Sequence, residues 1–290
     1  AILAKAINKY VKLPYKFIFK PTIQHRGVLV IRGGFSDNIT DTDMAGYKTK
    51  KSDELHYSVP LDEDETSELS SNIVNDFVEH SYFILKNHPV NKEREKRKML
   101  PANIVLTRDA GAEFRDIEKL PGKWAAVVSM PLEKGIAKLT GMQLYSAVCP
   151  ELRDYNIYAN LYECLYATIN QAKRCILKNR QKHDYFYVHF KETDLPGHDN
   201  KPEEKKKMLE ILDTEFFGFL RQLAEKEEFR VIVAVDHATP CNMKMHCSDA
   251  VPILIFGSGK DANQRFTEKE ARSGSLGKIN SKNIIKEILS

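Results

Sequence analysis

Tyr185-Phe-Tyr-Val-His-Phe190, followed by Lys191-Glu-Thr-Asp194-Leu-Pro-Gly-His198-Asp199, has a partner further along the chain. Val231-Ile-Val-Ala-Val235 is followed by Asp236-His237-Ala-Thr-Pro240, and His246 comes soon after. Each stretch is an apolar run of strand length that ends in an acid and a histidine. In an open parallel sheet, ligands bind beyond the carboxyl ends of the strands. One rim of one sheet is therefore expected to carry Asp194, His198, Asp236 and His237, with His246 nearby. Carboxylate oxygen and neutral imidazole together suit zinc, manganese or iron, whereas an all-oxygen set suits magnesium or calcium better. These candidates are many for one tetrahedral ion and few for two, so the count points to a two-metal site lacking some ligands. Pro196 and Gly197 predict a loop, not a helical turn, between Asp194 and His198. A single Asp-His pair after a strand is commonly no more than a loop hydrogen bond. Two pairs on successive strands, with a third histidine close by, favour metal.

Around this stretch the texture is that of alternating strands and helices. Ile104-Val-Leu106 and Ala125-Ala-Val-Val128 read as strands, and Ile157 to Leu177 as a helix. A helix from Glu203 to Glu228 carries Met208, Ile211 or Leu212, Glu215 or Phe216, Phe219 and Leu223 on one stripe, and Ile253-Leu-Ile255 follows as a strand. Strands separated by long helices imply parallel βαβ units, and continuous apolar strands imply a sheet covered on both faces. The N-terminal third differs. It offers a helical period at Ile2, Leu3, Ala6 and Ile7 and a small sheet from Phe17-Ile-Phe and Val28-Leu-Val-Ile31. An amphipathic helix carrying Leu69, Ile73, Phe77 and Ile84 begins at the acidic Asp62-Glu-Asp-Glu65, with negative charge at its positive end.

Composition narrows the classes. The 290 residues carry 44 Lys+Arg against 40 Asp+Glu, a net charge of +4 that suits an anionic substrate without implying nucleic acid. The basic run Lys92 to Lys98 lacks interleaved aromatics and reads as a solvated face, not a nucleic-acid patch. No apolar run approaches the roughly 20 residues of a membrane span, and no full signal-peptide pattern opens the sequence. The cysteines Cys149, Cys164, Cys175, Cys241 and Cys247 are odd in number and lack a C-x-x-C pair, which favours a reduced, cytoplasmic protein over a disulfide framework. Cys241 and Cys247 lie near His246 but read as small buried residues sooner than as zinc ligands. His189, inside the first strand, reads as a core residue or as a partner orienting a ligand.

The motifs resemble those of the archaeal-type cofactor-independent phosphoglycerate mutases, members of the alkaline phosphatase superfamily. The resemblance is carried by Thr193-Asp194-x-x-Gly197-His198-Asp199, Lys205, Asp213, Asp236-His237-x-Thr239-Pro240, His246 and Val251-Pro252. It extends to His25-Arg26-Gly-Val-Leu-Val-Ile31, Ser36-Asp37, Thr40-Asp41-Thr42-Asp43, His88-Pro89-Val90-Asn91, Arg94 and Ala102-Asn103. Lys134-Gly135-Ile136-Ala137, Gly141-Met142 and Gly274-Ser-Leu-Gly277 before a last helix complete it. It implies an α/β fold: a wound, mostly parallel sheet with helices on both faces, plus a smaller inserted α+β domain. Residues 1–98 would be the remainder of that inserted, lid-like substrate domain with its returning helix, and residues 99–290 the metal-binding core.

The same resemblance implies interconversion of 3-phosphoglycerate and 2-phosphoglycerate, with the phosphoryl group passing through an enzyme serine beside two divalent ions. Manganese comes first among these, with zinc, cobalt or magnesium possible, and no bisphosphoglycerate is needed. Asp194, His198 and His246 would hold one ion. Asp236 and His237 would hold the other, together with an aspartate and the nucleophilic serine of an N-terminal segment. No block of this sequence matches that segment, so no catalytic serine is identifiable; it is expected to precede Ala1 in a longer chain, with a separate chain or a degenerate homologue as alternatives. His25, Arg26, Arg94 and Lys205 are the candidate substrate contacts, since arginine forks suit phosphate and carboxylate together. The expected partner is a small phosphorylated substrate, with no nucleic acid and no membrane. Another metal-dependent phosphohydrolase or phosphonate enzyme of the same superfamily, or a non-catalytic homologue, are the competing readings. Leu152-Arg153-Asp154 stands where the family has a glycine-containing turn, and Ala238 replaces a common serine; both bear on substrate fit more than on metal binding.

Overall fold

A computed structural model describes residues 1–23, 25–43, 55–113, 117–150, 156–257, 259–280 and 284–285. The expected glycine-turn replacement at Leu152-Arg153-Asp154 and most of the last helix fall outside the described residues. The chain divides into two units, Ala1–Ile117 and Glu118–Ser290.

In the first unit, helix α1 (Ile2–Tyr10) leads into strands β1 (Phe17–Pro21) and β2 (Gly27–Ile31), which pair antiparallel with Phe17 opposite Ile31. The Asn8 amide locks α1 to β1: its Nδ2 donates 2.7 Å to the Phe19 carbonyl, and its Oδ1 accepts from the Phe19 N–H at 2.8 Å. Helix α2 (Glu65–Lys86) starts where the acidic cluster predicts, with Asp64 capping the Thr66 N–H and Glu65 and Glu68 in its first turn. It buries Ile73, Phe77, Val78 and Leu85. Phe77 is fully buried, and the rings of Phe17 and Phe19 meet it edge-on at 5.5 Å and tilted at 5.9 Å. Burying one such ring contributes about 1.5–3 kcal/mol. Helix α3 (Pro89–Lys96) is capped by His88 and carries the fully buried Asn91. The Asn91 amide donates to the carbonyls of Leu85 and Ala102 and accepts from the Ala102 N–H, so this buried polar group is satisfied on both sides. Ile104-Val-Leu106, read above as a strand, is irregular chain instead. Its neighbour Thr107 bonds to Thr42 in place of a strand partner.

The second unit is built on strand β3 (Trp124–Val127), joined in parallel by β4 (Gln143–Leu144) on one side and β5 (Tyr185–Val188) on the other. Ala125, Ala126, Val127 and Val128 are fully buried because both faces are covered. Ala125 and Val127 pack with Leu165, Ile169 and Ala172 of helix α5 (Ile157–Asn179). Ala126 and Val128 pack with Ala137 of helix α4 (Pro131–Leu139). The period of two along the strand thus feeds two cores.

After β5 the chain makes one helical turn, α6 (Leu195–His198), where Pro196 and Gly197 had suggested a loop. Proline is tolerated in a first turn, where its missing N–H would have had no helical partner. Gly197 is required for a different reason: a Cβ there would lie 2.5 Å from the Thr239 carbonyl oxygen. The predicted 203–228 helix is three pieces: α7 (Pro202–Ile211), a π-helical segment at Leu212–Phe217, and α8 (Gly218–Ala224). The wider π turn resolves the ambiguous stripe in favour of Leu212 and Phe216, both buried with Met208. Strand β6 (Val231–Ala234) pairs antiparallel with β7 (Ile253–Phe256), not in a parallel βαβ unit, so β5 and β6 lie in separate sheets and the two acid-histidine pairs do not share one rim of one sheet as expected. The link between them, residues 235–252, contains no helix among the described residues, and a parallel crossover is usually carried by one.

Candidate metal centre

Asp194 occupies the N-terminal end of α6 and His198 its last position, so one turn sets them on the same side. The Asp236–His246 loop arrives from β6 and is held down by Gly197 against Thr239 and by Lys205, whose Nζ donates 2.9 Å to the Thr239 carbonyl. The result is convergence of residues far apart in sequence. His198 Nε2 and His246 Nε2 are 3.1 Å apart, and they lie 3.5 and 3.6 Å from Asp194 Oδ1. Donor atoms about 2.0–2.1 Å from a tetrahedral ion lie about 3.4 Å from one another, so this triangle has the edge lengths of a ligand set. Ligand atoms of Asp194, His237 and His246 also fall within 4.8 Å of one another, and the rings of His237 and His246 stack at 3.7 Å.

Hydrogen bonding orients these groups from behind. His198 Nδ1 faces the Lys244 carbonyl at 3.1 Å. A carbonyl can only accept, so in the neutral ring Nδ1 carries the proton and Nε2 presents its lone pair to the cluster. Thr239 donates its hydroxyl to Asp194 Oδ1 at 2.8 Å, which leaves its oxygen to accept from His237 Nδ1 at 3.2 Å. His237 Nε2 is then the unprotonated nitrogen, yet it stands 3.1 Å from Asp236 Oδ2. Two acceptors facing each other call for a positive charge between them. A divalent cation fits both places: three lone-pair donors converge at Asp194, and an acceptor pair faces inward at Asp236 and His237.

The electrostatics agree. Burial pushes the Asp194 carboxyl up, but hydrogen bonds from Lys191 and Thr239 and the nearby charges of Lys191 and His198 outweigh it, so Asp194 is held below the ordinary carboxylate range. Lys191 makes a 3.0 Å ion pair with Asp194 Oδ2, leaving Oδ1 to the cluster. His246 is held below the ordinary imidazole value by desolvation and by His237, which keeps it neutral and able to ligate.

The remaining candidates make other contacts. His25 and Arg26 are exposed in the β1–β2 turn, where the Arg26 N–H bonds to the Ile23 carbonyl. Arg94 gives its Nε to the Leu100 carbonyl at 2.8 Å. Cys241 and Cys247 turn to the Pro196 carbonyl and the Asp249 carboxylate, respectively. His189 stacks in parallel on Tyr187 and stands 3.7 Å from Glu133, with burial lowering its proton affinity. Cys149 and Cys164, read as separate thiols, are placed side by side with their sulfurs paired as a disulfide across 15 residues and their Cα atoms 4.5 Å apart. Sequence spacing gave no sign of it, because the pair is made by the chain folding back along α5. Sequence reading also missed Lys191 and the role of Thr239, although Thr239 stood in the quoted motif.

Two family models match the chain. Residues 1–91 match that of 2,3-bisphosphoglycerate-independent phosphoglycerate mutase, and residues 162–289 that of the metalloenzyme superfamily. The mutase of that name from Thermococcus kodakarensis is 34% identical over 98% of this chain, which spans 66% of that relative's length. The one from Methanosphaera stadtmanae is also 34% identical, and 67% of its length is covered. A solved protein from Pyrococcus horikoshii superposes with a TM-score of 0.70 at 25% identity, over 99% of this chain and 67% of its own. The cofactor-independent phosphoglycerate mutase of Thermoplasma acidophilum, at 24% identity and a TM-score of 0.52, shares the fold. The metal-ligand geometry stands within an α/β fold of the metalloenzyme superfamily, and the chain belongs to the 2,3-bisphosphoglycerate-independent phosphoglycerate mutase family.

Proposed function

We propose that this chain is the metal-binding and substrate-binding part of a cytoplasmic enzyme of glycolysis that interconverts 3-phosphoglycerate and 2-phosphoglycerate. The observation that carries the reading is the triangle of Asp194 Oδ1, His198 Nε2 and His246 Nε2, with edges of 3.1 to 3.6 Å. In this reading those residues hold one divalent ion and Asp236 and His237 hold a second, manganese being the first choice for both. The bound ions supply positive charge to the oxygens of the transferring phosphoryl group.

The chain's own residues do the positioning. Thr239 fixes both the Asp194 carboxylate and the His237 tautomer through one hydroxyl. Lys191 neutralises the outer oxygen of Asp194. Lys205 holds the Asp236–Thr239 loop by its carbonyl, and its remaining N–H donors are open to an anionic substrate. Residues 1–98 take the lid-like substrate role, with His25, Arg26 and Arg94 as the contacts to phosphate and carboxylate. The phosphoryl group is carried on the serine of the segment that the family resemblance sets before the inserted domain. Exclusion of water then decides between mutase and phosphatase chemistry.

The test is direct. The gene's full-length product, supplied with manganese or cobalt and no bisphosphoglycerate, converts 3-phosphoglycerate to 2-phosphoglycerate. Release of free phosphate faster than isomerisation would replace this reading with a phosphohydrolase.

A further inference from the structure

The second cluster of metal-ligating side chains lies apart from the Asp194 set in composition and shares none of its ligands. Ligand atoms of Cys149, Cys164 and Glu192 lie within 4.8 Å of one another. Cys164 is on α5, Cys149 in the loop that precedes it, and Glu192 in the turn that leads to Asp194. Glu192 is the informative member. It is 3% exposed and its Oε2 is buried with no hydrogen-bond partner among the described residues; burial pushes its carboxyl up, against backbone N–H contacts from Glu192 and Lys191. A buried carboxylate oxygen must be paired, neutralised or bound to a cation. A disulfide beside it offers none of these, because its sulfurs carry neither charge nor proton.

We infer that Cys149, Cys164 and Glu192 form a zinc-type cation site in the reduced chain, closed off when the two sulfurs join as a disulfide. Two thiolates and one carboxylate form a soft, doubly anionic sulfur pair with one hard ligand, a set that selects zinc over magnesium or manganese. Three protein ligands leave a fourth position open. The redox step balances with a small-molecule thiol as reductant. Two such thiols reduce the Cys149–Cys164 bond by exchange and leave as their own disulfide, and two protein thiols result. Each thiol then loses one proton on binding the ion, so two protons are released per zinc. Glu192 stands two residues before Asp194, so an ion here also tethers the turn that presents the first catalytic-metal ligand.

The experiment uses cobalt(II) as the probe on the full chain, reduced with a phosphine and stripped with a chelator. A thiolate–cobalt charge-transfer band reports sulfur ligation, and the Asp194, His198 and His246 set contains no sulfur to produce it. The band is expected in the reduced chain and absent after oxidation with a small-molecule disulfide. The Cys149→Ser/Cys164→Ser double variant should lose the band and bind one zinc fewer than the parent. Glu192→Gln keeps the shape of the side chain and should weaken cobalt binding at the sulfur site about tenfold or more. No band in the reduced parent would overturn the inference. So would a band that persists in the double variant, which would assign it to Cys241 or Cys247. If the double variant fails to fold, Glu192→Gln decides: cobalt affinity unchanged at the sulfur site removes Glu192 and the proposal with it.

Discussion

The two halves of the candidate centre are built differently. Asp194 has an 18% exposed side chain, is fixed by Thr239 and Lys191, and meets two imidazoles from separate segments. Asp236 has a 63% exposed side chain, and its recorded partners are the N–H and the ring of the adjacent His237. The first half is assembled by tertiary packing; in the second, His237 is held by Thr239 and stacks on His246, and Asp236 rests on its sequence neighbour His237. A ligand set completed by the fold is preorganised, whereas a pair of adjacent residues needs further ligands to fix an ion.

Substitutions should separate the halves, starting with the largest effect. Under the proposed function, His246→Ala in the full-length product removes one ligand of the first ion. Loss of several kcal/mol of charge stabilisation predicts a fall in kcat of about 10³-fold, with the circular dichroism spectrum unchanged. Asp236→Asn should cost activity to a similar degree while the first ion still binds, which metal titration would reveal. If both variants lost both ions together, the two sets would be one site and the comparison would fail.

A smaller effect is expected behind the ligands. Thr239→Val keeps the shape but removes the hydroxyl that orients Asp194 and His237. Metal affinity should drop about 10- to 100-fold by calorimetry. An unchanged affinity would mean that Thr239 only packs against Gly197.

The pH response has a definite sign. Asp194 is held below the ordinary carboxylate range and His246 below the ordinary imidazole value, so both stay in their ligating forms at neutral pH. Metal affinity at this set should be flat at neutral pH and fall on acidification, because His246 must be neutral to ligate. The lowered His246 value shifts its share of the fall to lower pH than a free imidazole would give. Affinity that rises on acidification would contradict the neutral-imidazole assignment.

The smallest effect is expected at a candidate substrate contact. Arg26→Ala should raise KM about tenfold, as loss of one charge-assisted contact predicts, with kcat nearly unchanged. An unaltered KM would return Arg26 to an ordinary exposed arginine.

Much of this was legible in the sequence. The apolar runs at Ala125–Val128 and Tyr185–Phe190 announced a covered sheet, and β3 feeds two cores through alternate residues as a strand buried on both faces must. The acidic start of α2 marked its first turn to within a residue. The five acid and histidine positions were read from pattern and resemblance; the structure brings Asp194, His198, His237 and His246 together, with Asp236 against His237. What pattern could not supply was anything decided by a third body. The helical turn at α6 depends on Thr239 packing against Gly197, 42 residues away in sequence by their numbers. The antiparallel return of β7 goes with a 235–252 link that forms no crossover helix. The π segment depends on which of two apolar residues the core accepts, and the Cys149–Cys164 bond on how the loop before α5 folds back. Local periodicity is silent on all four.

The account stands or falls on a crystal of this chain grown with manganese and measured at the manganese absorption edge. The predicted result is an anomalous peak bonded to Asp194 Oδ1, His198 Nε2 and His246 Nε2 together, with Thr239 still hydrogen-bonded to Asp194. A chain that takes up no manganese there, or a peak that leaves those three atoms uncoordinated, would contradict it.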